Sequence, residues 1–350
     1  MKYKNWGILI LLATAVSLCA FAVIMYWMDP LLHYGQEKDM FTYYEYSEMY
    51  SNPGIAKHYS YDAVMVGTSM VQNTNVDLCD ELWGCDMVRL TYSGGTSYNM
   101  KTILDVCFAS GNDIRTVYWE LDQFQLTGSP TEPRYPLPEY LYRMDHGEDI
   151  SYLLNLDIFY HYGLNNVLGM LRGETSKAER RAELLTGDYS RKAMLAAYSR
   201  PEIQNTLYEF KDSKMQQKVD ANLENIEGLI INHPDTEFVF FMPPFSVLYW
   251  DRELRIGTFD ASMDCVIYAM ERLLAHDNVR IYFYQNETDI ITNLDHYKDY
   301  SHYGSWINDL LTEYMACDRG RVTTENYRDE VEKLRTFIHT YDFEPIFAGD

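Results

Sequence analysis

The fold of this chain is decided by the stretch Asp62-Ala63-Val64-Met65-Val66-Gly67-Thr68-Ser69. Most of its first six residues are apolar, which is typical of a short strand buried on both faces of a parallel sheet. Ser69 follows this strand at once. Because ligands of parallel α/β sheets bind outside the carboxyl ends of the strands, Ser69 is predicted to lie at the functional edge of the sheet.

Four more apolar runs repeat this pattern further along the chain, separated by amphipathic stretches with helical spacing. An alternation of strands and helices is typical of α/β proteins. The sequence therefore predicts an α/β fold, a three-layer α/β/α sandwich around a five-stranded parallel sheet. The later strands are predicted at residues 87–92, 116–121, 237–242 and 279–284, and helices near 98–109, 213–232, 260–276, 303–316 and 325–338.

The N-terminus carries an apolar segment, Gly7–Met28, of 22 residues without a formal charge, preceded by Lys2 and Lys4. About 20 apolar residues suffice to cross a bilayer, and flanking lysines favour the cytoplasmic side. We predict an uncleaved single-pass anchor with a cytoplasmic N-terminus and an extracytoplasmic remainder. A cleaved signal peptide, whose apolar region is usually about 7–15 residues long, is one alternative. Lipidation at Cys19 is the other.

Four regions follow from these patterns. Residues 1–28 are the predicted transmembrane anchor, and residues 29–60, rich in tyrosine and without a clear period, a membrane-proximal connector. Residues 61–317 form the α/β domain, in which a proline-rich start and irregular helical stretches predict an insertion at about 125–210. Residues 318–350 are a C-terminal tail with a surface helix.

Charge and cysteine content exclude some functions. The formal net charge of -23 arises from 52 acidic against 29 basic residues, so the surface should repel nucleic acid. The six cysteines include no CxxC pair or Cys/His ligand spacing, and no metal site is predicted. Cys79 and Cys85 are close enough in sequence to form a disulfide outside the cytoplasm, but two reduced cysteines are an equally good interpretation.

A second motif, Asp299-Tyr300-Ser301-His302, precedes the last amphipathic helix of the α/β domain. A serine hydroxyl attacks only when an oriented imidazole takes its proton, and a three-residue offset within a helical turn puts Asp299 and His302 on one side. We predict that Ser69 is a nucleophile, His302 its base and Asp299 the group that orients His302. Alternatively, Ser69 only caps a helix. His296 is a rival base but lacks an acid at the helical offset.

These two motifs resemble the SGNH (GDSL-like) hydrolase superfamily over about residues 60–310. Gly67-Thr68-Ser69 matches its nucleophile block, and Asp299 with His302 matches its D-x-x-H block. In particular, the chain resembles the membrane-anchored cell-surface branch, which includes proteins similar to alginate O-acetylation and lipoteichoic-acid D-alanylation proteins. The resemblance implies a flavodoxin-like sheet and a serine O-acyl esterase or O-acyltransferase without a cofactor. It also implies action on acyl groups, expected to be acetyl, of a cell-envelope polysaccharide or teichoic acid. A transferase would have a membrane-bound O-acyltransferase as its partner.

An acyl-transfer site also needs donors for the negative oxygen of the tetrahedral intermediate. The backbone N–H of Ser69 is one candidate, and the resemblance implies a glycine of the second block, either Gly94 or Gly95. The family's third block supplies an Asn amide, but this chain reads Asp122-Gln123 there. Either Gln123 donates instead, or only backbone donors remain, or Asp122 has another duty. An inactive relative that binds polymer or a membrane partner is the alternative function.

Overall fold

The computed structural model describes residues 2–44, 47–145, 147–176 and 186–348. The chain divides into two compact units. Unit 1 comprises Met1–Ser60, Thr102–Asn112 and Pro136–Arg180, and unit 2 comprises Tyr61–Lys101, Asp113–Tyr135 and Arg181–Asp350. The domain boundaries given above stay predictions.

Unit 2 holds the sheet, whose strand order is β2-β1-β3-β4-β5-β6. All residues of β1 are buried, in keeping with its apolar sequence. The first five strands pair in parallel and agree with the predicted strands to within one residue at either end. The strands are β1 (Ala63–Gly67), β2 (Met87–Thr91), β3 (Thr116–Glu120), β4 (Glu237–Met242), β5 (Val279–Phe283) and β6 (Arg321–Val322).

A sixth strand corrects the prediction of a purely parallel five-stranded sheet. The chain turns back at Gly320, with φ +81°, and β6 pairs antiparallel with β5. A glycine is required at this turn, because a Cβ would lie 2.5 Å from the ring of Tyr284. A strand of two residues is too short to produce a detectable alternation of apolar and polar residues, so the sequence pattern did not reveal it.

The α-helices of the described residues agree with the predicted ones where the amphipathic pattern is long. In chain order they are α1 (Lys2–Met28), α2 (Glu48–His58), α3 (Val76–Trp83), α4 (Ser97–Ala109), α5 (Gln123–Thr127), α6 (Glu139–Tyr142), α7 (Ile150–Leu153), α8 (Leu156–Ile158), α9 (Leu164–Arg172), α10 (Arg191–Ala197), α11 (Lys214–Asn232), α12 (Val247–Arg255), α13 (Phe259–Leu273), α14 (Thr288–Ile291), α15 (Ser305–Ala316), α16 (Tyr327–Thr340) and α17 (Glu344–Phe347).

Unit 1 contains α1, in which Asn5–Met28 is long and apolar enough to cross a membrane, with a mean hydropathy of 2.8. At 1.5 Å per residue this segment is about 36 Å long, against about 30 Å for the hydrocarbon layer. The chain is therefore consistent with a single-pass membrane protein. The orientation of the anchor stays a prediction.

The end of α1 is built into unit 1 by Asp29, whose φ is 44° and whose side chain is buried. Its carboxylate accepts hydrogen bonds from the N–H of His33 at 2.8 Å, from the N–H of Tyr34 at 2.9 Å and from the hydroxyl of Tyr152 at 2.8 Å. Burial raises the pKa of Asp29, although these three hydrogen bonds oppose the rise. They fix the direction in which the chain leaves α1.

Cys79 and Cys85 are present as free thiols. The Sγ atom of Cys85 lies 3.9 Å from the carbonyl oxygen of Cys79. Burial raises the pKa of each thiol to about 12. The structure thus corresponds to the reduced interpretation of this pair.

Candidate active site

The nucleophile turn follows β1 without a spacer. Thr68 is the N-cap of a 3₁₀ turn at Ser69–Val71, and its hydroxyl oxygen accepts the N–H of Met70 at 3.3 Å. The capping role considered for Ser69 is therefore filled by Thr68. A Cβ at Gly67 would lie 2.7 Å from atoms of both Glu120 and Val71, so the glycine allows the turn to pack tightly on β3.

Ser69, His302 and Asp299 lie together, although 233 residues separate the serine from the histidine. Ser69 Oγ is 2.8 Å from His302 Nε2. On the other side of the ring, His302 Nδ1 is 2.8 Å from Asp299 Oδ2 and 2.9 Å from Oδ1. These contacts assign the ring proton to Nδ1, since a carboxylate only accepts, and leave the Nε2 lone pair for the serine hydroxyl.

The Asp299–His302 segment is a turn and not part of a helix, so the helical turn expected to bring Asp299 and His302 to one side is absent. Helix α15 begins only at Ser305. Asp299 Oδ1 accepts the backbone N–H of Ser301 at 3.0 Å and that of His302 at 2.9 Å. Such a local side-chain to backbone arrangement competes with helical hydrogen bonding. This turn places the imidazole of His302 beside the carboxylate of Asp299.

Asp299 is held in its charged form. Burial on its own would raise the pKa of this carboxyl, but hydrogen bonding and charge from His302, together with two backbone N–H groups, hold the pKa well below its usual range. The carboxylate therefore remains anionic through the physiological pH range. An anionic partner both fixes the tautomer of His302 and stabilises the imidazolium that proton transfer would create.

These side chains open into a cleft of about 510 Å³, which lies wholly within unit 2. Phe245, which follows β4, forms part of its wall. The cleft is lined by Thr68, Ser69, Met70, Gly94, Asp122, Gln123, Phe124, Thr127, Arg134, Met215, Phe245, Tyr249, Arg252, Glu253, Thr258, Ser262, Tyr300, Ser301 and His302.

Two backbone donors border this cleft. In the described part of the chain, neither the N–H of Ser69 nor that of Gly94 donates a hydrogen bond to a protein acceptor. The N–H of Gly95 donates to the carbonyl oxygen of Tyr92 at 2.7 Å, so of the two glycines between which the prediction left the choice open, Gly94 is the one with an available N–H. Gly94 has φ +60°, and a Cβ there would lie 2.6 Å from Arg134 Nη1.

At the predicted third-block positions, both side chains form hydrogen bonds within the protein. The carboxylate of Asp122 accepts the N–H of Gln125 at 2.7 Å and caps α5. The side-chain amide of Gln123 is paired with that of Gln285 in both directions, at 2.9 and 3.3 Å. Both residues border the cleft, but their polar groups serve the fold. The choice among the three alternatives for this block stays a prediction.

Glu120, the last residue of β3, was missed by the sequence analysis. Its Oε2 accepts the N–H of Thr68 at 2.7 Å, the hydroxyl of Thr68 at 3.0 Å and the amide of Gln125 at 3.2 Å. Burial and then the charge of Asp122 raise the pKa of this carboxyl. Glu120 therefore ties the nucleophile turn to the neighbouring strand. The sequence signal that could have identified Glu120 is a single charged residue at the end of a largely apolar strand.

The raised pKa of Glu120 predicts a pH dependence of stability. A carboxyl whose pKa is higher in the folded state contributes stability that is complete below its unfolded pKa, near 4.3, and lost as the pH rises through the folded value. For every pH unit by which the folded pKa exceeds the unfolded one, this contribution is about 1.4 kcal/mol. We therefore expect Glu120→Gln to lower the melting temperature less at alkaline pH than at acidic pH. Thermal unfolding of the full chain in detergent across this pH range is the measurement.

The control for this prediction is Glu224→Gln, on the exposed side of α11. It should leave the pH dependence of the melting temperature as it is in the wild type. If Glu120→Gln also kept the wild-type pH dependence of the melting temperature, the carboxyl of Glu120 would keep the same charge across this pH range, contrary to the prediction.

His296, the rival base, forms its hydrogen bonds with residues other than Ser69. His296 Nδ1 is 3.3 Å from the carbonyl oxygen of Ile290, and its Nε2 is 3.0 Å from the amide of Asn293. Its ring nitrogens are thus occupied within its own loop. Among the described residues, no group of three or more His, Cys, Asp or Glu side chains is arranged to hold a metal ion.

Comparisons with known proteins give little further information. No family model matches the chain, and no curated protein does. One solved structure, described as "The structure of a putative platelet activating factor from Streptococcus pneumonia", aligns over 83% of this chain and 91% of its own, with 9% identity and a TM-score of 0.39. This likeness is too weak to bear on the fold or the function of the chain.

Proposed function

We propose that this chain is an extracytoplasmic serine O-acyl esterase or O-acyltransferase of the SGNH type. Its substrate would be acyl groups, expected to be acetyl, on a cell-envelope polysaccharide or teichoic acid. The observation that carries this proposal is the 2.8 Å contact between Ser69 Oγ and His302 Nε2, backed by Asp299 on the opposite ring nitrogen. A serine hydroxyl, a base and an orienting acid in series are what acyl transfer through a covalent intermediate requires.

In the first half-reaction Ser69 Oγ attacks the carbonyl carbon of the acyl ester while its proton passes to His302 Nε2. The negative oxygen of the tetrahedral intermediate is held by the N–H groups of Ser69 and Gly94, and Asp299 stabilises the imidazolium. As the intermediate collapses, the bond between the acyl carbon and the alcohol oxygen of the donor ester breaks, and His302 returns the proton to that oxygen. Ser69 then carries the acyl group as an ester.

In the second half-reaction an oxygen nucleophile attacks this acyl-enzyme, and His302 takes its proton. The bond between the acyl carbon and Ser69 Oγ then breaks, and His302 returns the proton to Ser69. Water as the nucleophile gives an esterase, and a sugar hydroxyl gives a transferase. The machinery is the same for both, and the outcome depends on how well water is kept from the acyl-enzyme. A transferase would receive its acyl groups from across the membrane, for which a membrane-bound O-acyltransferase is the proposed partner.

The sheet order of unit 2 supports the SGNH assignment. Strands β2-β1-β3-β4-β5 follow the flavodoxin-like order of doubly wound α/β proteins, which we propose to be layered as α/β/α. Ser69 follows β1, and Gly94 and Asp122 lie just beyond β2 and β3. The carboxyl ends of these parallel strands therefore all contribute to the cleft. The anchor Asn5–Met28, with Lys2 and Lys4 before it, would place this cleft outside the cytoplasm.

Arg134 favours a substrate that carries negative charge. Its guanidinium carbon lies 5.2 Å from the ring centre of Phe124 and 5.4 Å from that of Tyr135. It forms no ion pair with any carboxylate of the described residues, whereas the other arginine of the cleft, Arg252, is paired with Glu253 at 2.5 Å. An unpaired guanidinium at the mouth of a cleft is suited to bind a carboxylate or phosphate group of the polymer.

Replacing Arg134 with glutamine should therefore change substrate preference. We expect kcat/KM for an acetyl ester that carries a carboxylate to fall about tenfold, since a charge-assisted hydrogen bond is worth roughly 1.5 kcal/mol or more. The kcat/KM of a neutral acetyl ester should stay near the wild-type value. Arg115→Gln, which removes an exposed arginine paired with Asp62 outside the cleft, is the control. Equal losses on both esters would contradict a role in recognising charge.

A fluorophosphonate probe tests the proposed function directly, because it reacts with serine hydroxyls that are activated by a base. The full chain in detergent should be labelled once, and peptide mapping should place the label on Ser69. Absence of labelling in folded protein would refute the catalytic proposal.

A second candidate is a non-catalytic envelope protein that binds polymer or a membrane partner. The observation that favours it is Asp122, a hydrogen-bond acceptor where the resembling family has an amide donor. Under this function the fluorophosphonate would leave Ser69 unmodified, although the cleft would still bind polymer fragments.

A further inference from the structure

The helical segment Leu156–Arg172 of unit 1 forms one continuous helix, which we call the collar helix. It consists of α8, a π-helical stretch at Phe159–Gly163 and α9, and the backbone stays helical at both junctions, with φ -61° and ψ -43° at Ile158 and φ -58° and ψ -50° at Gly163. At 1.5 Å per residue it is about 25 Å long.

One face of the collar helix packs against the end of α1. The ring of Phe159 meets the ring of Phe21 edge-on, with centres 5.3 Å apart. Ile158 belongs to the same buried cluster as Met25. A Cβ at Gly163 would lie 3.0 Å from Met28 Cε, so the glycine lets the two helices approach closely. The first half of the collar helix therefore lies beside the last two turns of α1.

These contacts set the depth of the collar helix. Phe21 precedes Met28, the end of the membrane-spanning segment, by about 10 Å along the helix axis. The segment exceeds the hydrocarbon layer by only about 6 Å in all. A helix that touches Phe21 must therefore reach the boundary between acyl chains and headgroups of any bilayer that α1 crosses. Trp27 and Tyr26, both exposed at this end of α1, are the residue types enriched at that boundary.

The opposite face of the collar helix carries an exposed apolar stripe. Its members recur every three or four residues and so lie on one side of the helix. Soluble proteins rarely expose a contiguous apolar surface of this kind without a partner. The neighbouring face is polar, with Asp157, His161, Asn165 and Arg172. The stripe consists of Leu156 (57% exposed), Tyr160 (59%), the half-buried Leu164, Leu168 (44%) and Leu171 (70%).

We propose that this stripe is a membrane-docking surface whose partner is the lipid bilayer around the end of α1. Its first members, Leu156 and Tyr160, would insert at the level of the acyl–headgroup boundary, and the stripe would continue towards the headgroups. An amphipathic helix beside a transmembrane segment gains free energy by burying its apolar face about 5–10 Å into the interface. The lipid contact is independent of any chemistry at Ser69.

Fluorescence quenching in lipid nanodiscs tests this proposal. The full chain, with its exposed Cys19 and Cys317 replaced by serine, would carry the fluorophore NBD on Leu156→Cys or Tyr160→Cys, and on Asp157→Cys as the matched control one position round the helix. In discs of phosphatidylcholine and phosphatidylglycerol, doxyl-labelled lipid should quench the first two positions about threefold more than the control. Aqueous iodide should show the reverse order.

A second measurement needs no substitution on the collar helix. An aryl diazirine dissolved in the bilayer should label Leu156–Arg172 of the wild-type chain after photolysis, as peptide mapping would show. Quenching of Leu156→Cys by iodide but not by doxyl lipid, with no diazirine label on the collar helix, would overturn the proposal. Another result would also overturn the proposal. If these positions were protected from both quenchers in native membranes but not in nanodiscs, the stripe would be assigned to a protein partner.

Discussion

Replacing Ser69 with alanine is expected to lower kcat for an acetyl ester by about 10⁴-fold or more, because the acyl group then has no nucleophile to receive it. Substrate should still bind, since the cleft and both backbone donors remain, so KM should change little. Turnover of a chromogenic acetyl ester by the full chain in detergent is the measurement. Reaction with the fluorophosphonate should disappear in the same variant.

The control for this prediction is Ser199→Ala, which removes an exposed serine of unit 2 that does not line the cleft. Its turnover and labelling should match the wild type. If Ser69→Ala kept its turnover, the ester would be cleaved by other groups, and the 2.8 Å contact with His302 would have only a structural meaning.

Replacing Asp299 with asparagine is expected to lower kcat by about 10⁴-fold while the fold is kept. The amide is nearly isosteric, but its NH₂ group can donate to His302 Nδ1, which would shift the ring proton to Nε2. An imidazole in this tautomer cannot accept the proton of Ser69. The negative charge that would stabilise the imidazolium is lost as well.

Two readouts separate this effect from simple unfolding. The melting temperature of Asp299→Asn should stay close to that of Asp295→Asn, an exposed aspartate of the preceding loop. The rate of fluorophosphonate labelling should fall along with kcat, since both reactions require an activated serine. A tenfold or smaller loss of kcat would mean that His302 is oriented by other contacts.

The strands were predictable because a strand buried on both faces must be apolar throughout. Ala63–Gly67 satisfies this requirement, and Glu237–Met242 satisfies it from Phe238 onward, so the ends of both strands could be placed closely. The edge strand Arg321–Val322 has no such requirement, since it is short and one of its residues is exposed. Its existence follows from a turn at Gly320 and from the free edge of β5, neither of which is a local pattern.

The site was predictable in its residue types and only partly in its geometry. Ser69 and His302 could be paired because Ser69 follows a strand and His302 precedes a helix. The order of such elements in an α/β fold is constrained. Three details of the site depend on hydrogen bonds within loops. They are the N-cap at Thr68, the turn at Asp299 and the hydrogen bond from the N–H of Gly95 to Tyr92. Loop hydrogen bonds leave no periodic signal, so only the tertiary structure reveals these details.

The sequence alone determined which segments are buried, that an apolar helix precedes the α/β region, and which polar residues follow strand ends. These properties arise from the hydrophobic effect acting on residues close together in the chain, where the period of the pattern reports the local structure. The tertiary structure decided that Ser69 and His302 touch, that Glu120 supports the nucleophile turn, and that one face of the collar helix is covered while its apolar stripe is not. Contacts between distant segments depend on how whole elements pack, and no local pattern encodes that packing.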